Sequence, residues 1–409
     1  MNKFIGDLSL AARNLRRNTR RTLVATFTVA FGIVAYLLAG GFIAWIFQEI
    51  REATIHAQLG HIQIVRPGYF EKGISDPYAY LLPGRSDEQF MVKALPSFKT
   101  FAPRLALNGL ISKGDNTIPF LGEGVSPGPE QELSSRMEIV SGQNLSSDDK
   151  PMAILGEGLA KTLGASPGDT VVLLATTASG NTNAVEVTIA GIFATMYKDY
   201  DDVALRLPIE VARKLMKVSG ATSWIVLLNR TEDTEESALQ ISTSLGNKDF
   251  QVVPWTSMAD FYNKTVSLFS KQVGIVKTII ALIIVLTISN TQMMSVLERT
   301  TEVGTSLAIG LRASQVMRLF ILEGCLIGIA GGVIGVIAGH IIAQAISSIG
   351  IPMPPPPGMA HGYLGKILVT WPLVADALYL AVITTLLASI FPAWKASRLN
   401  IVDALRCNQ

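Results

Sequence analysis

The chain has 409 residues, of which 49% are hydrophobic and 16% charged, and its mean hydropathy is +0.38. This balance is too apolar for an average soluble protein and too charged for a protein built only of membrane spans. We therefore expect membrane helices joined to a sizeable water-exposed domain.

Four apolar windows are long enough to cross a membrane. They cover residues 22–47, 276–297, 320–347 and 371–394. Each has about 20 or more residues with few charges, enough to cross a hydrocarbon core of about 30 Å at 1.5 Å per residue. Because the first run is longer than a typical signal-peptide core, we interpret it as an uncleaved anchor.

Charge is distributed unevenly along the chain. Residues 1–21 carry a net charge of +5, residues 48–265 carry −7, and the rest carries +4. The positive-inside rule then places both termini in the cytoplasm and the acidic segment 48–265 outside. This pattern predicts a multi-pass membrane protein whose large domain is extracytoplasmic.

The predicted segments follow one another in chain order. They are a basic N-terminal segment (1–21), the first span (22–47), an outer domain with helical stalks (48–265), the second span (266–297), a cytoplasmic segment (298–319), the third span (320–347), a proline-rich outer loop (348–370), the fourth span (371–394) and a cytoplasmic tail (395–409). The predicted fold class is an α-helical membrane protein with four transmembrane helices and a large α/β domain between the first and second helices.

The outer domain alternates strand-like and helix-like runs. β-Branched stretches bounded by turn residues predict strands at 117–125, 170–176, 184–193 and 223–229. Helices are predicted from Pro208 to about residue 218, and from a capping-box pattern at Asp233 to Gly246. These elements predict an α/β domain.

Helical stalks are predicted at the borders of this domain. Residues 257–297 contain no proline, and apolar residues recur at helical spacing; Phe261, Thr265, Leu268 and Phe269 mark the stalk. A helix of this length is about 60 Å long, roughly twice the hydrocarbon thickness. The first span is also expected to continue through residues 48–57. We hypothesise that these rigid stalks transmit movement, with a flexible tether as the alternative.

The third span carries overlapping pairs of small residues four positions apart. They are Gly328, Gly331, Gly332, Gly335 and Gly339. Such a pattern favours close helix packing in lipid.

Titratable groups also lie near the ends of the spans, namely Glu323, His340 and Asp376. One interpretation is a proton relay. We favour the other, in which each group snorkels to the membrane interface or caps a helix.

Residues 298–319 place charges between two apolar runs. Leu297, Val303, Leu307 and Ile309 lie on apolar faces with charges at the rim, an arrangement that suits docking of a soluble partner. The alternative interpretation is that this segment is an ordinary cytoplasmic loop with no docking role.

The sequence has no G-x-x-x-x-G-K-[ST] motif and no metal-ligand spacing, so we predict no catalytic residue and no metal site.

Several stretches resemble one known family. ERTTEVGTSLAIG (298–310), LAARNLRRNTRRTLVATFTVAFGI (10–33) and FPAWKASRLNIVDALR (391–406) resemble ABC permeases of the macrolide-exporter and lipoprotein-releasing group, the mechanotransmission or type VII class. AILGEGLAKTLGASPGDTVVLL (153–174) and GHIQIVRPGYFE (60–71) look like the lipoprotein-releasing branch. The end signatures are specific for the family and not for the cargo.

The resemblance implies a permease subunit in an inner membrane, with its large domain in the periplasm. A cytoplasmic ABC ATPase dimer would contact the coupling segment. The contact residues implied are Glu298, Arg299, Thr300, Glu302, Val303 and Gly304. ATP and magnesium would be bound by that ATPase, and no cofactor by this chain. The macrolide-exporter member carries a fused ATPase, which this chain does not.

Further expected partners are a second permease copy or a paralogue, membrane lipids, and a periplasmic adaptor or lipoprotein carrier, but no nucleic acid. Lipoprotein transfer toward the outer membrane is the first expectation for the cargo. Efflux of small molecules or peptides and a non-transporting regulator of an envelope enzyme are the alternatives. A proton-driven secondary transporter is disfavoured because the spans are few and no inverted repeat is evident.

Overall fold

The structure, a computed structural model, describes residues 2–73, 76–246, 249–354 and 362–399. Its helices are α1 (Asn2–Arg17), α2 (Thr19–Thr54), α3 (Tyr69–Lys72), α4 (Asp87–Lys93), α5 (Pro127–Leu133), α6 (Glu157–Leu163), α7 (Lys198–Asp201), α8 (Ile209–Met216), α9 (Thr234–Leu245), α10 (Trp255–Met258), α11 (Asp260–Glu298), α12 (Thr300–Ala308), α13 (Ala313–Ile349) and α14 (Trp371–Ser397). Its strands are β1 (Ile62–Val65), β2 (Phe98–Lys113), β3 (Asn116–Val125), β4 (Glu138–Gly142), β5 (Met152–Gly156), β6 (Thr170–Thr176), β7 (Thr182–Ala194), β8 (Ala204–Pro208), β9 (Ser223–Leu228), β10 (Gln251–Pro254), β11 (Ile351–Met353) and β12 (Tyr363–Gly365).

The chain divides into two compact units. The membrane unit comprises Met1–Phe47, Thr265–Pro352 and Leu364–Gln409, and the outer unit comprises Gln48–Lys264 and Met353–Tyr363. Within the described residues, four helices are long and apolar enough to cross a membrane: Thr19–Leu59, Asp260–Glu298, Ala313–Ile349 and Trp371–Ser397. The prediction of four spans is confirmed.

The membrane unit is built around α13. Glycines on one row of this helix touch α2: a Cβ added at Gly331 would lie 2.7 Å from Val29 Cβ, and one at Gly335 would lie 2.8 Å from Ile33 Cβ. Glycines on the adjacent row touch α14, since a Cβ at Gly328 would lie 2.1 Å from Thr385 Oγ1. The remaining two predicted packing glycines follow the same division, with Gly339 against Leu37 and Gly332 against Ala381.

The second span, α11, begins later than the sequence predicts. Ala259 has φ −88° and ψ 59°, which ends the short helix α10 and separates it from α11. From Asp260 the helix is continuous to Glu298, and Ile280, Ile284 and Ile288 form its buried face. The single helix predicted from residue 257 therefore starts at Asp260.

The stalk residues have different environments. Phe261 and Leu268 are more than half exposed, and Thr265 is partly buried. The Phe269 ring lies against Phe47 with centroids 6.5 Å apart. At the other border, the first span continues past Thr54 as a π-helical turn, Ile55–Leu59. Rigid transmission through the stalks stays a prediction.

The outer unit contains one ten-stranded sheet. Strands follow the order β10-β1-β9-β2-β3-β8-β5-β7-β4, and β6 pairs with β2 and β7. Helices α6 and α8 cover one apolar core, and α4 and α9 cover a second one near Trp224. The four predicted strands correspond to β3, β6, β7 and β9, so the α/β prediction is confirmed.

Helix boundaries in the outer unit differ slightly from the predictions. Pro208 is the last residue of β8 and precedes α8, which runs to Met216. Asp233 is the N-cap of α9, but its side chain makes no capping hydrogen bond. The predicted capping box is therefore not formed, while Gly246 ends the helix as expected. Residues 355–361 of the predicted proline-rich loop lie outside the described residues, as do tail residues 400–409.

Two arginines fix the π-helical turn to the sheet of the outer unit. Arg206 is fully buried, and its Nη2 donates to the carbonyl of Ala57 over 2.8 Å. Arg104 lies beside it with its Nη2 2.6 Å from Glu130 Oε1. Glu123 accepts from Arg206 Nε over 3.1 Å. Burial opposes ionisation of Glu123, but the two guanidinium groups dominate and hold its pKa below the usual range.

Candidate functional site

The segment between the second and third spans is a helix followed by a tight turn. Arg299, with φ −102° and ψ 16°, interrupts the helix between α11 and α12. After α12 the chain turns at Gly310, whose φ of +105° is readily adopted by glycine. The helix α13 then begins at Ala313, and the Gln315 side chain accepts from the Arg312 backbone N–H over 3.0 Å. The segment is therefore an ordered helical connection.

A buried ion pair holds this connection to the third span. Arg299 Nη1 lies 3.0 Å from Glu323 Oε1, and the two side chains are 10% and 6% exposed. The guanidinium also lies over the Phe320 ring, 5.5 Å from its centroid. Asn14 of α1 donates to the same carboxylate oxygen over 2.8 Å. Because a buried charge is tolerated only with partners, these contacts fix α1, α12 and α13 to one another.

More exposed ion pairs surround the buried one. Arg17 Nη2 lies 2.5 Å from Glu302 Oε1, and Arg21 forms a bidentate ion pair with Glu298. The hydrogen bond from Arg17 holds the pKa of the Glu302 carboxyl below its usual range. Exposed pairs of this kind are individually weak. We call the full set the charged junction: Asn14, Arg17, Arg21, Glu298, Arg299, Glu302 and Glu323.

The six predicted ATPase-contact residues divide into two groups. Glu298, Thr300 and Glu302 are exposed or partly exposed, whereas Arg299, Val303 and Gly304 face the interior of the membrane unit. Val303 packs with Val296, Phe320, Ala393 and Ala396 in a small apolar cluster. Contact of these six residues with an ATPase stays a prediction.

Apolar residues beside the charged junction are available to a partner. Ile309 is 81% exposed, Leu297 56% and Leu311 45%. Leu307 is partly buried against the Val303 cluster. Exposed apolar side chains interspersed with charged ones such as Glu298 and Glu302 are typical of a protein contact surface.

The residues that α1 and the start of α2 contribute to the charged junction were not predicted from the sequence. The sequence pointed to Glu298, Glu302 and Glu323, but no role was assigned to Asn14, Arg17 or Arg21. A signal was available, because the N-terminal arginines and the acidic residues at 298 and 302 are both expected on the cytoplasmic side. Which arginine pairs with which glutamate depends on the chain path.

A second polar cluster joins three membrane helices. Lys277 Nζ of α11 lies 2.6 Å from Asp376 Oδ1 of α14, and Tyr36 of α2 donates to the same carboxylate. Asp376 was singled out from the sequence, whereas Lys277 was not. His340, the third titratable group near a span end, contacts Gln344 over 3.0 Å on the exposed face of α13. In the part of the chain that the structure describes, no group of three or more His, Cys, Asp or Glu residues is arranged to hold a metal ion.

Family comparisons cover both units. The model of the MacB-like periplasmic core domain matches residues 22–244, which is more than half of the chain. The model of the FtsX-like permease C-terminal domain matches residues 274–401, which contain the later spans and α12.

Individual relatives agree with this assignment. The lipoprotein-releasing system transmembrane protein LolC of Xylella fastidiosa is 26% identical over 75% of this chain and 77% of its own length. The macrolide export ATP-binding/permease protein MacB of Rhodospirillum rubrum is 27% identical over 97% of this chain and 60% of its own length. An uncharacterized ABC transporter permease of Methanocaldococcus jannaschii is 26% identical over 66% of each chain. The chain therefore belongs to the family of ABC transporter permeases that combine a MacB-like periplasmic core domain with an FtsX-like permease domain.

Proposed function

We propose that this chain couples ATP hydrolysis by a separate cytoplasmic ATPase to movement of its outer domain, and that its cargo is a lipoprotein to be released toward the outer membrane. The observation that carries the coupling step is the Arg299–Glu323 ion pair. A partner that displaces α12 would act through this pair on α13 and through the chain itself on α11. Both helices are candidate spans.

The ATPase belongs to a partner in this proposal. The 409 residues contain no P-loop motif, so ATP and magnesium bind to the partner chain. The exposed apolar side chains of Leu297, Ile309 and Leu311 offer contacts for docking. An ATPase dimer requires a second permease, which is another copy of this chain or a paralogue.

The proposed orientation places both termini and α12 in the cytoplasm and the outer domain in the periplasm. The +5 charge of residues 1–21 and the −7 charge of residues 48–265 support it. In this orientation the charged junction lies on the ATP side of an inner membrane. The outer domain then faces a periplasmic carrier or adaptor.

The choice of cargo rests on similarity to LolC, which covers three quarters of this chain and a similar share of the relative. Efflux of small molecules or peptides is the second candidate, because the match to the macrolide export protein MacB covers 97% of this chain. The identity of the molecule that copurifies with the complex distinguishes the two.

The test is a gentle pulldown of this chain from membranes, followed by mass spectrometry and an ATPase assay. We expect a P-loop ATPase at near one-to-one ratio and a bound lipoprotein. The variant I309D should lose the ATPase while the protein stays folded, because Ile309 is 81% exposed. The matched control L239D changes an exposed leucine of the outer unit and should keep it.

Other outcomes of the pulldown contradict parts of the proposal. A folded chain without any ATPase would overturn the coupling role. A copurifying envelope hydrolase without cargo would favour the regulator, and a bound small molecule or peptide would favour efflux.

A further inference from the structure

Three arginines at the N-terminal end of the membrane unit are exposed. Arg13 and Arg16 lie three residues apart on α1, which places their side chains on one helix face, and Arg20 follows in the first turn of α2. Their neighbours Arg17 and Arg21 pair with Glu302 and Glu298. Among the described residues, no ion pair reaches Arg13, Arg16 or Arg20. Three exposed positive charges therefore lie without a described ion-pair partner near the junction of α1 and α2.

The contacts between α1 and α13 show at which level along α13 these positive charges lie. Asp7 lies 3.0 Å from Arg318, and Asn14 donates to Glu323 over 2.8 Å. Both contacts join α1 to the first turns of α13, just before its continuous apolar stretch begins at Cys325. The contacts place the N-terminal arginines at the level where α13 passes from charged to apolar sequence. In a membrane this level corresponds to the lipid headgroups.

An apolar stripe continues from the arginines along α2. Leu23, Val24, Phe27 and Phe31 are 53%, 61%, 63% and 76% exposed. Arg20, Val24, Phe27 and Phe31 share one face, because they are spaced by four, three and four residues. At 1.5 Å per residue, the stripe extends about 16 Å beyond Arg20, roughly half of a hydrocarbon core. The face is cationic at one end and apolar along the rest.

We propose that Arg13, Arg16, Arg20 and this apolar stripe form a binding surface for an anionic phospholipid. The positive charges of the three side chains attract the phosphate of the headgroup, and the stripe accommodates an acyl chain. The arginines would lie beside the headgroup of one phospholipid, and the apolar stripe that follows them along α2 would lie beside its acyl chain. A soluble partner would cover the arginines but would leave Phe27 and Phe31 in contact with hydrocarbon.

Native mass spectrometry of the full-length protein tests this proposal. The protein is titrated with dioleoylphosphatidylglycerol, and with dioleoylphosphatidylcholine as the uncharged comparison. The variant R13Q/R16Q/R20Q should bind phosphatidylglycerol at least about tenfold more weakly, since the three positive charges that attract the anionic headgroup are lost. The control K150Q/K161Q/K214Q removes three exposed charges from the outer unit and should bind like the parent.

A charge-preserving variant distinguishes the loss of positive charge from a folding defect. R13K/R16K/R20K keeps the positive charges and should retain most of the phosphatidylglycerol affinity. Equal affinity of the parent for the two lipids would overturn the proposal, as would unchanged phosphatidylglycerol binding by the glutamine variant. Loss of binding in the lysine variant would also overturn it. If the glutamine variant lost the copurifying ATPase and kept the lipid, the arginines would serve a protein partner instead.

Discussion

Arg299 and Glu323 form a buried ion pair that joins the turn after the second span to the third span, with 3.0 Å between Nη1 and Oε1. Removing one partner of a buried pair leaves an uncompensated charge and costs about 3–5 kcal/mol. We expect E323Q to lower the thermal unfolding temperature clearly in detergent. The double variant R299M/E323M removes both charges and should recover much of that loss.

The same variants test coupling. If the pair transmits movement, R299M/E323M should hydrolyse ATP in complex with its partner but transport poorly. The control E298Q disturbs an exposed pair and should behave like the parent in the unfolding measurement. Normal transport by the folded double variant would remove the coupling role of the pair.

Lys277 and Asp376 connect α11 to α14, and we expect their separation to destabilise the membrane unit. D376N leaves the ammonium group without its anion and should cost about 1–3 kcal/mol, measured as a shift in unfolding temperature. K277M should act in the same direction, and K271M, which removes an exposed charge of the same helix, should have little effect. Loss of transport by D376N at an unchanged unfolding temperature would favour the proton-relay interpretation.

Gly331 allows α2 and α13 to approach closely, so G331A should destabilise the protein. The new Cβ would lie 2.7 Å from Val29 Cβ and 2.9 Å from the carbonyl oxygen of Thr26, and the backbone atom cannot move aside. We expect a cost of about 1–3 kcal/mol from overpacking. The control G274A has no atom within 4 Å and should be neutral or stabilising, because alanine favours helix. Equal unfolding temperatures for the two variants would contradict the packing role.

His61 should make the outer unit sensitive to acid. Burial lowers the pKa of His61 from 6.5 to about 4, because the ring is largely removed from water, and the nearby Arg51 and Lys99 act in the same direction. The ring also accepts a hydrogen bond from the Leu228 N–H. The neutral ring is therefore favoured in the folded state. Its contribution to stability is complete above about pH 6.5 and is lost as the pH falls toward 4, up to about 3 kcal/mol.

Denaturant unfolding of the full chain at several pH values measures this effect. The variant H61N keeps an acceptor for the Leu228 N–H but does not titrate, so its stability should fall less between pH 6.5 and 4. Parallel pH profiles for the parent and H61N would show that His61 is not responsible.

The stalk hypothesis is tested by breaking α11 near Thr265. A glycine–proline pair in the variant K264G/T265P should interrupt the helix, since an internal proline costs about 3 kcal/mol or more. We expect ATP hydrolysis to persist while transport fails. Placing the same pair at Asp260 and Phe261, at the start of the helix, should be milder because proline is tolerated in a first turn. Normal transport by the first variant would exclude rigid transmission.

The four spans, and four strands and two helices of the outer domain, were predictable from the sequence. Apolar length and residue periodicity are local properties, so the windows at 22–47 and 371–394 and the strand at 170–176 were evident without a fold. Local irregularities were harder to predict. Ala259 separates α10 from α11 although no proline or glycine marks the position.

The partners of the charged and small residues depend on the tertiary structure. Asn14 and Glu323 are 309 positions apart, and Lys277 and Asp376 are 99 apart, so no spacing rule connects them. The glycines of α13 were predictable as packing residues, but their division between α2 and α14 depends on the helix arrangement. Burial of Arg299, in contrast to the exposure of Glu298 beside it, follows from the turn between α11 and α12. Such contacts depend on how distant segments meet, which composition and periodicity do not encode.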